Sequence, residues 1–359
     1  MPKSYSHLWE QVIDFENLYH AYRAACKGKR YRWESLKFKR NLEENLVILQ
    51  NELIWKIYKP EPYRQFYVYE PKKRLISAPS FRDRIVHHAL VRAIEPIFEN
   101  RFVAETFACR RGKGTHAAMR HVEKCARSAR RKWGSYYVLK CDVSKFFPSV
   151  NHNVLMNIIR RNIRDKQVMD LISVIIRSYE STDQDGTGIP IGSLTSQLFA
   201  NIYLTPLDRR IKNKHREKYY ARYMDDFIIL SDNKAYLWEL LCDIENFLHD
   251  DLKLNLNPKT GIFPGQHGIN FCGYRIWPTH IKPRKSTVKR AKRRLRKMAR
   301  DYKKDAAILE HAKASLMSFF GYIRHCSGRQ TTRSVLKGMV FKKGNKPALP
   351  DKEAPGPQK

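Results

Sequence analysis

Two short apolar runs, residues 219–223 and 227–230, are separated only by Met224-Asp225-Asp226. That pattern predicts a tight hairpin with two adjacent carboxylates at the end of buried strands. A third apolar run, Tyr136-Tyr137-Val138-Leu139-Lys140-Cys141, reads as a buried strand and ends directly on Asp142. Carboxylates at the ends of apolar strands are costly unless a cation neutralises them. Magnesium does this well, because it prefers hard oxygen ligands and keeps open positions for phosphate. Two such ions about 4 Å apart activate an attacking hydroxyl and stabilise a leaving pyrophosphate. Transfer of a nucleotidyl group needs little more than this and good positioning. Asp also favours ordinary turns, so the hairpin alone does not decide the matter.

The surroundings of these carboxylates are strongly basic. The 359 residues include 69 Lys plus Arg against 35 Asp plus Glu, a formal charge of +34. Such a surface repels itself unless a polyanion neutralises it, and nucleic acid is the default polyanion. The hydrophobic content of 42% is enough for a real core, which excludes wholesale disorder. No run of about 18 apolar residues occurs, so no membrane span is expected. The first ten residues, from Met1 to Glu10, lack an apolar signal core. A cytoplasmic protein is therefore expected. The seven cysteines are scattered without a CxxC pair, which argues against a disulfide framework or a structural zinc site.

Periodicity places the remaining elements. Residues 8–58 predict two or three helices, with one stripe at Leu8, Val12, Phe15 and Leu18 and another at Leu42, Leu46, Leu49 and Leu53. Phe66-Tyr67-Val68-Tyr69, the basic turn Pro71-Lys72-Lys73-Arg74 and Leu75-Ile76 predict a hairpin with a charged tip. Helices are expected over residues 83–99, 115–129, 152–179, 196–214 and 234–250, and short strands over 254–276. Residues 282–300 hold eleven Lys or Arg and no acid, yet Val288, Ala291, Leu295 and Met298 recur at helical spacing. This predicts a helix with a narrow apolar stripe and a phosphate-binding remainder.

In this setting the motifs become specific. Tyr223-Met224-Asp225-Asp226 resembles the catalytic core motif of reverse transcriptases, and Asp142-Val143-Ser144-Lys145-Phe146-Phe147 resembles their preceding aspartate motif, in the correct order. Residues 74–79 with Arg82-Asp83-Arg84 resemble the fingers motif that holds the triphosphate. Residues 110–116 resemble the next block of bacterial reverse transcriptases. Residues 254–260 resemble the lysine-bearing palm motif, and Phe271-Cys272-Gly273-Tyr274 the primer-grip turn. The resemblance implies an α+β right-hand polymerase with fingers, a palm of antiparallel sheet with helices behind it, and a helical thumb. It divides the chain into an N-terminal helical extension (1–62), fingers (63–135), palm with an interleaved fingers segment (136–278), basic helical thumb (279–340) and a disordered tail (341–359).

The resemblance also assigns residues. Asp142, Val143, Asp225 and Asp226 should hold two magnesium ions. Arg74, with Lys72 or Lys73 nearby, should grip the triphosphate of a deoxynucleotide, as a planar guanidinium grips two oxygens at once. Lys259 should protonate the leaving pyrophosphate. Phe147 resembles the sugar-gating position, where a bulky ring collides with a 2′-hydroxyl and so favours DNA synthesis. Arg110, Arg111 and Lys113, with Lys285, Lys289, Arg290, Arg293, Arg294 and Lys297 of the basic helix, should hold the nucleic-acid backbone.

One departure narrows the resemblance. Most reverse transcriptases have Gln-Gly where this chain has Ile191-Gly192, and Ser-Pro where it has Ser196-Gln197. The pattern Ile-Gly-x-x-x-Ser-Gln is similar to the enzymes of diversity-generating retroelements, which are bacterial or phage-encoded. Gly192 lets the backbone approach a base pair closely. Ile191 offers only van der Waals contact where a glutamine would hydrogen-bond, and shape alone discriminates less than demanded hydrogen bonds. The resemblance implies copying of a template-repeat RNA into cDNA with errors chiefly at template adenines. It also implies a small basic helical accessory protein that forms a pentamer. A group II intron or retron-type enzyme, a defence-type reverse transcriptase and a non-catalytic RNA-binding scaffold remain open. The scaffold predicts loss of at least one carboxylate, whereas all three are present. Ribonuclease H activity is not expected, since too few residues follow the thumb in this sequence to build that domain.

Overall fold

A computed structural model describes residues 4–69, 73–179, 185–303, 309–337 and 339–342. The chain forms two compact units that divide between His267 and Gly268.

The first unit begins with α1 (Trp9–Ile13), α2 (Phe15–Ala25), α3 (Trp33–Arg40) and α4 (Leu42–Ile54). The predicted Leu8–Leu18 stripe is split between two helices. Asp14 leaves the helical conformation (ψ 132°), and its carboxylate caps α2 by accepting from the Asn17 N–H. Phe15 is consequently exposed, whereas Leu8, Val12 and Leu18 are buried. The second stripe holds: Leu46, Leu49 and Leu53 are buried along α4.

A hairpin of β1 (Arg64–Val68) and β2 (Arg74–Ala78) follows, antiparallel with Phe66 opposite Ile76. Lys72 of its expected tip lies outside the described residues. Next come α5 (Phe81–Glu99), capped by Ser80, and α6 (Thr115–Trp133). Then follow β3 (Tyr137–Asp142), the short α7 (Phe146–Ser149), α8 (His152–Arg160) and α9 (Lys166–Arg177). The helical stretch expected over 152–179 is divided between these two helices. Asp165 accepts from the N–H groups of Gln167 and Val168 and so starts α9. The same carboxylate accepts from Leu8 N–H at 2.7 Å and Trp9 N–H at 3.0 Å, which fastens α1 to α9. Burial alone would raise its pKa, but these four donors outweigh burial and lower it.

α10 (Leu194–Arg209) gives way at Arg210–Lys214 to a π-helical turn, where sequence reading continues one helix. Asp243 explains the break. It takes a bidentate pair from Arg210 (2.7 and 2.6 Å), with Lys214 and His215 alongside. The hairpin that carries Asp225 and Asp226 is β4 (Tyr220–Tyr223) and β5 (Asp226–Ser231), followed by α11 (Lys234–Asp250), which carries Asp243, and β6 (Gly261–Pro264). These strands form one antiparallel sheet in the order β4-β5-β3-β6. The interior of β3 and β5 is apolar, and α6 and α11 pack against the sheet.

The second unit has its own sheet of β7 (Ile269–Phe271), β8 (Tyr274–Ile276) and β9 (Ile281–Pro283), then α12 (Lys285–Lys303), α13 (Leu309–Ile323) and α14 (Arg329–Leu336). β7 and β8, expected in the palm, belong to this unit, and β9 was not expected at all. Ala291 and Leu295 of α12 join Phe319, Ile323 and Val335 in a small core. The expected tail lies outside the described residues except for its first two positions. No helix among the described residues is long and apolar enough to cross a membrane.

Candidate active site

The register of the first unit's sheet brings the expected carboxylates together. Asp142, the last residue of β3, is the direct partner of Asp226, the first of β5. Asp225 sits in the turn before it, after Met224 at φ +59°. The Val143 N–H donates to the Asp225 carbonyl at 3.3 Å, so β3 and the turn are tied beyond the sheet. Burial pushes the Asp225 carboxyl up to about 6; the charges of Asp142 and Asp226 add to this, and Arg74 opposes it. Crowded carboxylate oxygens of this kind fit a hard divalent cation, which would offset both burial and mutual repulsion.

Two neighbours were not foreseen. Asn257 donates its N–H to the Asp142 carbonyl at 2.7 Å and its side-chain amide to Asp142 Oδ2 at 3.2 Å. Lys140, two residues earlier on the same face of β3, pairs its ammonium with Asp226 Oδ1. Asp226 is therefore turned to an ammonium, and among the described residues no three Asp, Glu, His or Cys side chains already converge on one metal position. A lysine at alternate spacing from Asp142 was the available signal; an asparagine two residues before Lys259 was the other. Lys259 itself is exposed on the turn that Asn257 opens, with the Thr260 N–H bonded to the Asn257 carbonyl.

The expected nucleotide-binding residues lie on segments joined by backbone hydrogen bonds. Arg74 starts β2 and is exposed; Lys73 stacks its ammonium 4.2 Å over the Tyr67 ring. The Ser77 N–H of β2 donates to the Ile191 carbonyl at 2.9 Å. The Ile189 N–H donates to the Phe147 carbonyl at 2.9 Å. β2, the Ile191 loop and Phe147 are thereby held as one surface, with Phe147 and Ile191 half-buried. Gly192, expected to allow approach of a base pair, also allows approach to β2. At φ +124° a Cβ there would lie 3.0 Å from Ile76 Cγ2 and 3.4 Å from the Ser77 carbonyl. Gln197 is exposed on the first turns of α10. Beneath the loop, buried His87 bonds Ser193 Oγ at 2.8 Å through Nδ1, with Thr195 Oγ1 at 3.2 Å. Burial lowers its pKa to about 3, so the ring is neutral.

The backbone-binding residues divide. Arg110 is not a surface cation. Its guanidinium donates to Glu99 and to the carbonyls of Val103 (2.7 Å) and Thr106 (3.0 Å), and its side chain is 7% exposed. Arg82 and Arg84 are likewise engaged, with Glu52 and the Pro79 carbonyl. Arg111 is exposed, 3.4 Å from Glu95, and the Lys113 ammonium donates to the Ala104 carbonyl. In the second unit Lys285, Lys289, Arg293, Arg294 and Lys297 are exposed on α12 and Arg290 is half-buried. Phe271-Cys272-Gly273-Tyr274 forms the β7–β8 turn, with positive φ at Cys272 and Gly273. Tyr322 donates to the Gly273 carbonyl at 2.5 Å and stacks on Tyr274.

Residues 58–276, more than half of the chain, match the family described as reverse transcriptase (RNA-dependent DNA polymerase). Protein YkfC of Escherichia coli is 29% identical over 281 residues, covering 66% of this chain and 72% of the relative. The group II intron-encoded protein LtrA of Lactococcus lactis is 24% identical over 304 residues, covering 65% of this chain and 49% of the relative. A Saccharomyces cerevisiae protein named as a COX1/OXI3 intron 2 protein is 24% identical over 278 residues, covering 58% of this chain and 31% of the relative. The chain thus spans half or less of those two intron proteins.

Proposed function

The chain belongs to the reverse transcriptase family, the RNA-directed DNA polymerases that use divalent metal ions and deoxynucleotides, and on that premise we propose that it serves a diversity-generating retroelement. It copies a template-repeat RNA into cDNA with low fidelity, chiefly at template adenines, for mutagenic retrohoming into a target gene. A small basic helical accessory protein, as a pentamer, assists it. The observation that supports this reading is the Ile191 loop. An aliphatic side chain is held by a 2.9 Å backbone bond to the fingers strand that starts with Arg74. A pairing surface of that kind tests shape without demanding a hydrogen bond.

Arg74 and Lys73 bind the triphosphate, and Phe147 excludes the 2′-hydroxyl. Asp142, Asp225 and Asp226 orient the reacting groups, and Lys259 gives a proton to the departing pyrophosphate. Asp142, Asp225 and Asp226 would hold divalent ions, whose chemistry there would be activation of the primer hydroxyl and neutralisation of the charge developing on the pyrophosphate. The exposed cations of α12 hold the RNA/cDNA duplex by its backbone.

The test is cDNA synthesis on an adenine-rich RNA with magnesium and four deoxynucleotides, with and without accessory protein, followed by product sequencing. We expect substitutions concentrated at template adenines, loss of cDNA in Asp225→Ala, and fewer adenine errors in Ile191→Gln. An unchanged error spectrum in Ile191→Gln removes Ile191 as the determinant. Accurate cDNA from the parent enzyme would select the second reading, an intron-type reverse transcriptase of ordinary fidelity, which the 304-residue similarity to LtrA favours.

A further inference from the structure

Behind the catalytic turn lies a fully buried ion pair. Arg222 and Asp208 are both wholly inaccessible. Arg222 Nε and Nη2 donate to the two oxygens of Asp208 at 2.7 and 2.6 Å, and Tyr220 Oη donates to the same carboxylate at 2.6 Å. Thr106 Oγ1 adds a longer bond to Asp208, at 3.4 Å. The remaining Nη1 does something else: it donates to the Met224 carbonyl at 2.9 Å and to Asn201 Oδ1 at 3.2 Å.

Met224 is the residue between Arg222's strand and Asp225, and its φ of +59° is a conformation that side-chain-bearing residues disfavour. A turn of this kind persists only where its surroundings determine it. The hydrogen bond from Arg222 fixes the orientation of the peptide that leads into Asp225. Arg222 also fastens this turn to a distant block of the chain. Its own N–H and carbonyl pair with the Glu105 carbonyl and the Phe107 N–H at 2.9 and 3.0 Å. Asn201, bonded to Arg222, donates to the Ala108 carbonyl at 2.8 Å. A buried ion pair contributes little net stability over well-packed apolar residues of similar volume. The contact with the turn is therefore its distinctive consequence.

We propose that Arg222, oriented by Asp208, is a positioning residue for polymerisation: its bond to the Met224 carbonyl sets the turn that presents Asp225 and Asp226. The proposal rests on the reading of those two residues as the catalytic carboxylates. It predicts a defect in the reaction step and in the divalent-ion requirement rather than in nucleotide binding.

Three variants test it in the full chain: Arg222→Lys, Arg222→Met, and Arg222→Met combined with Asp208→Asn, which leaves no lone charge in the core. Each is assayed for melting temperature, for kcat and KM of deoxynucleotide incorporation, and for the magnesium concentration giving half-maximal activity. Asp225→Asn is run beside them. We expect the double variant to fold, with kcat lowered about tenfold, the scale of one lost hydrogen bond in the active geometry. Its magnesium midpoint should rise severalfold with little change in KM, and Arg222→Lys should recover part of kcat. A folded double variant with parental kcat and magnesium midpoint overturns the proposal, as does failure of all three variants to fold, which would make the pair purely structural. Full activity in Asp225→Asn would instead overturn the assignment of the carboxylates.

Discussion

Gly192→Ala should press β2 away from the loop that carries Ile191. At φ +124° any side chain strains the backbone, at a cost of about 1–3 kcal/mol. The new Cβ would also lie 3.0 Å from Ile76 Cγ2 and 3.4 Å from the Ser77 carbonyl, so Ile76 must give by a few tenths of an ångström, which presses strand and loop apart. Parting them weakens the 2.9 Å bond from the Ser77 N–H to the Ile191 carbonyl, worth about 1 kcal/mol. The sum is about 2–4 kcal/mol. Gly134→Ala is the control: φ there is +72°, with nothing within 4 Å of the built Cβ. It should suffer the backbone penalty alone. Urea denaturation of both variants measures the difference, expected at about 1 kcal/mol on the same hydrogen-bond scale. Single-nucleotide incorporation on a primed RNA measures the consequence. For Gly192→Ala alone, kcat/KM for the deoxynucleotide should fall about tenfold, equivalent to about 1.4 kcal/mol. Equal destabilisation of the two variants, with nucleotide kinetics of Gly192→Ala at parental values, would show that the contact with β2 constrains nothing.

Arg110→Ala should destabilise the protein by about 2–4 kcal/mol, because it leaves Glu99 and two carbonyls without their donor, and it should leave the salt dependence of RNA binding unchanged. Lys297→Ala should do the reverse, lowering the slope of log affinity against log salt by about 0.7–0.9 without moving the melting temperature; titrations at several salt concentrations distinguish the two. His87 is neutral in the fold, with a pKa of about 3 against 6.5 ordinarily. Its stabilisation is complete above pH 6.5 and is lost as pH falls toward 3, at up to about 1.4 kcal/mol per pH unit. Denaturation at several pH values should therefore show a shallower acid loss in His87→Gln, and parallel curves would contradict this. Phe147→Ala should admit ribonucleotides in place of deoxynucleotides, read from incorporation of each; unchanged discrimination would return Phe147 to simple packing.

The carboxylates were legible because local patterns expose them: an apolar strand ending on Asp142, and a hairpin whose register follows from its two-sided burial. The helices α4, α11 and α12 were legible from their stripes for the same reason. What periodicity hides is partner choice. Arg110 stands in a basic segment and looks solvated in sequence, yet folding brings Glu99 and two carbonyls around it. Lys140 meets Asp226 only because β3 pairs with β5, 86 residues away. Helix ends set by distant contacts were missed too. Asp14 and Asp165 interrupt apolar stripes that otherwise run on, and Asp243 unwinds the end of α10 from another helix. Gly192 is legible as a close-approach glycine, but the contact it makes with Ile76 is not, because β2 lies more than a hundred residues away in the chain.

The double role of Asp165 also bears on how the chain is made. Its carboxylate closes the start of α9 and, across 157 residues, the start of α1. During synthesis the first helix emerges long before its acceptor exists. At about 5–20 residues per second, translation leaves it waiting for roughly 8–30 s. Over that interval α1 can pack on α2, α4 and α5, but the Leu8 and Trp9 N–H groups at its start have no acceptor until the middle of the chain appears, so the first helix takes its final anchor late.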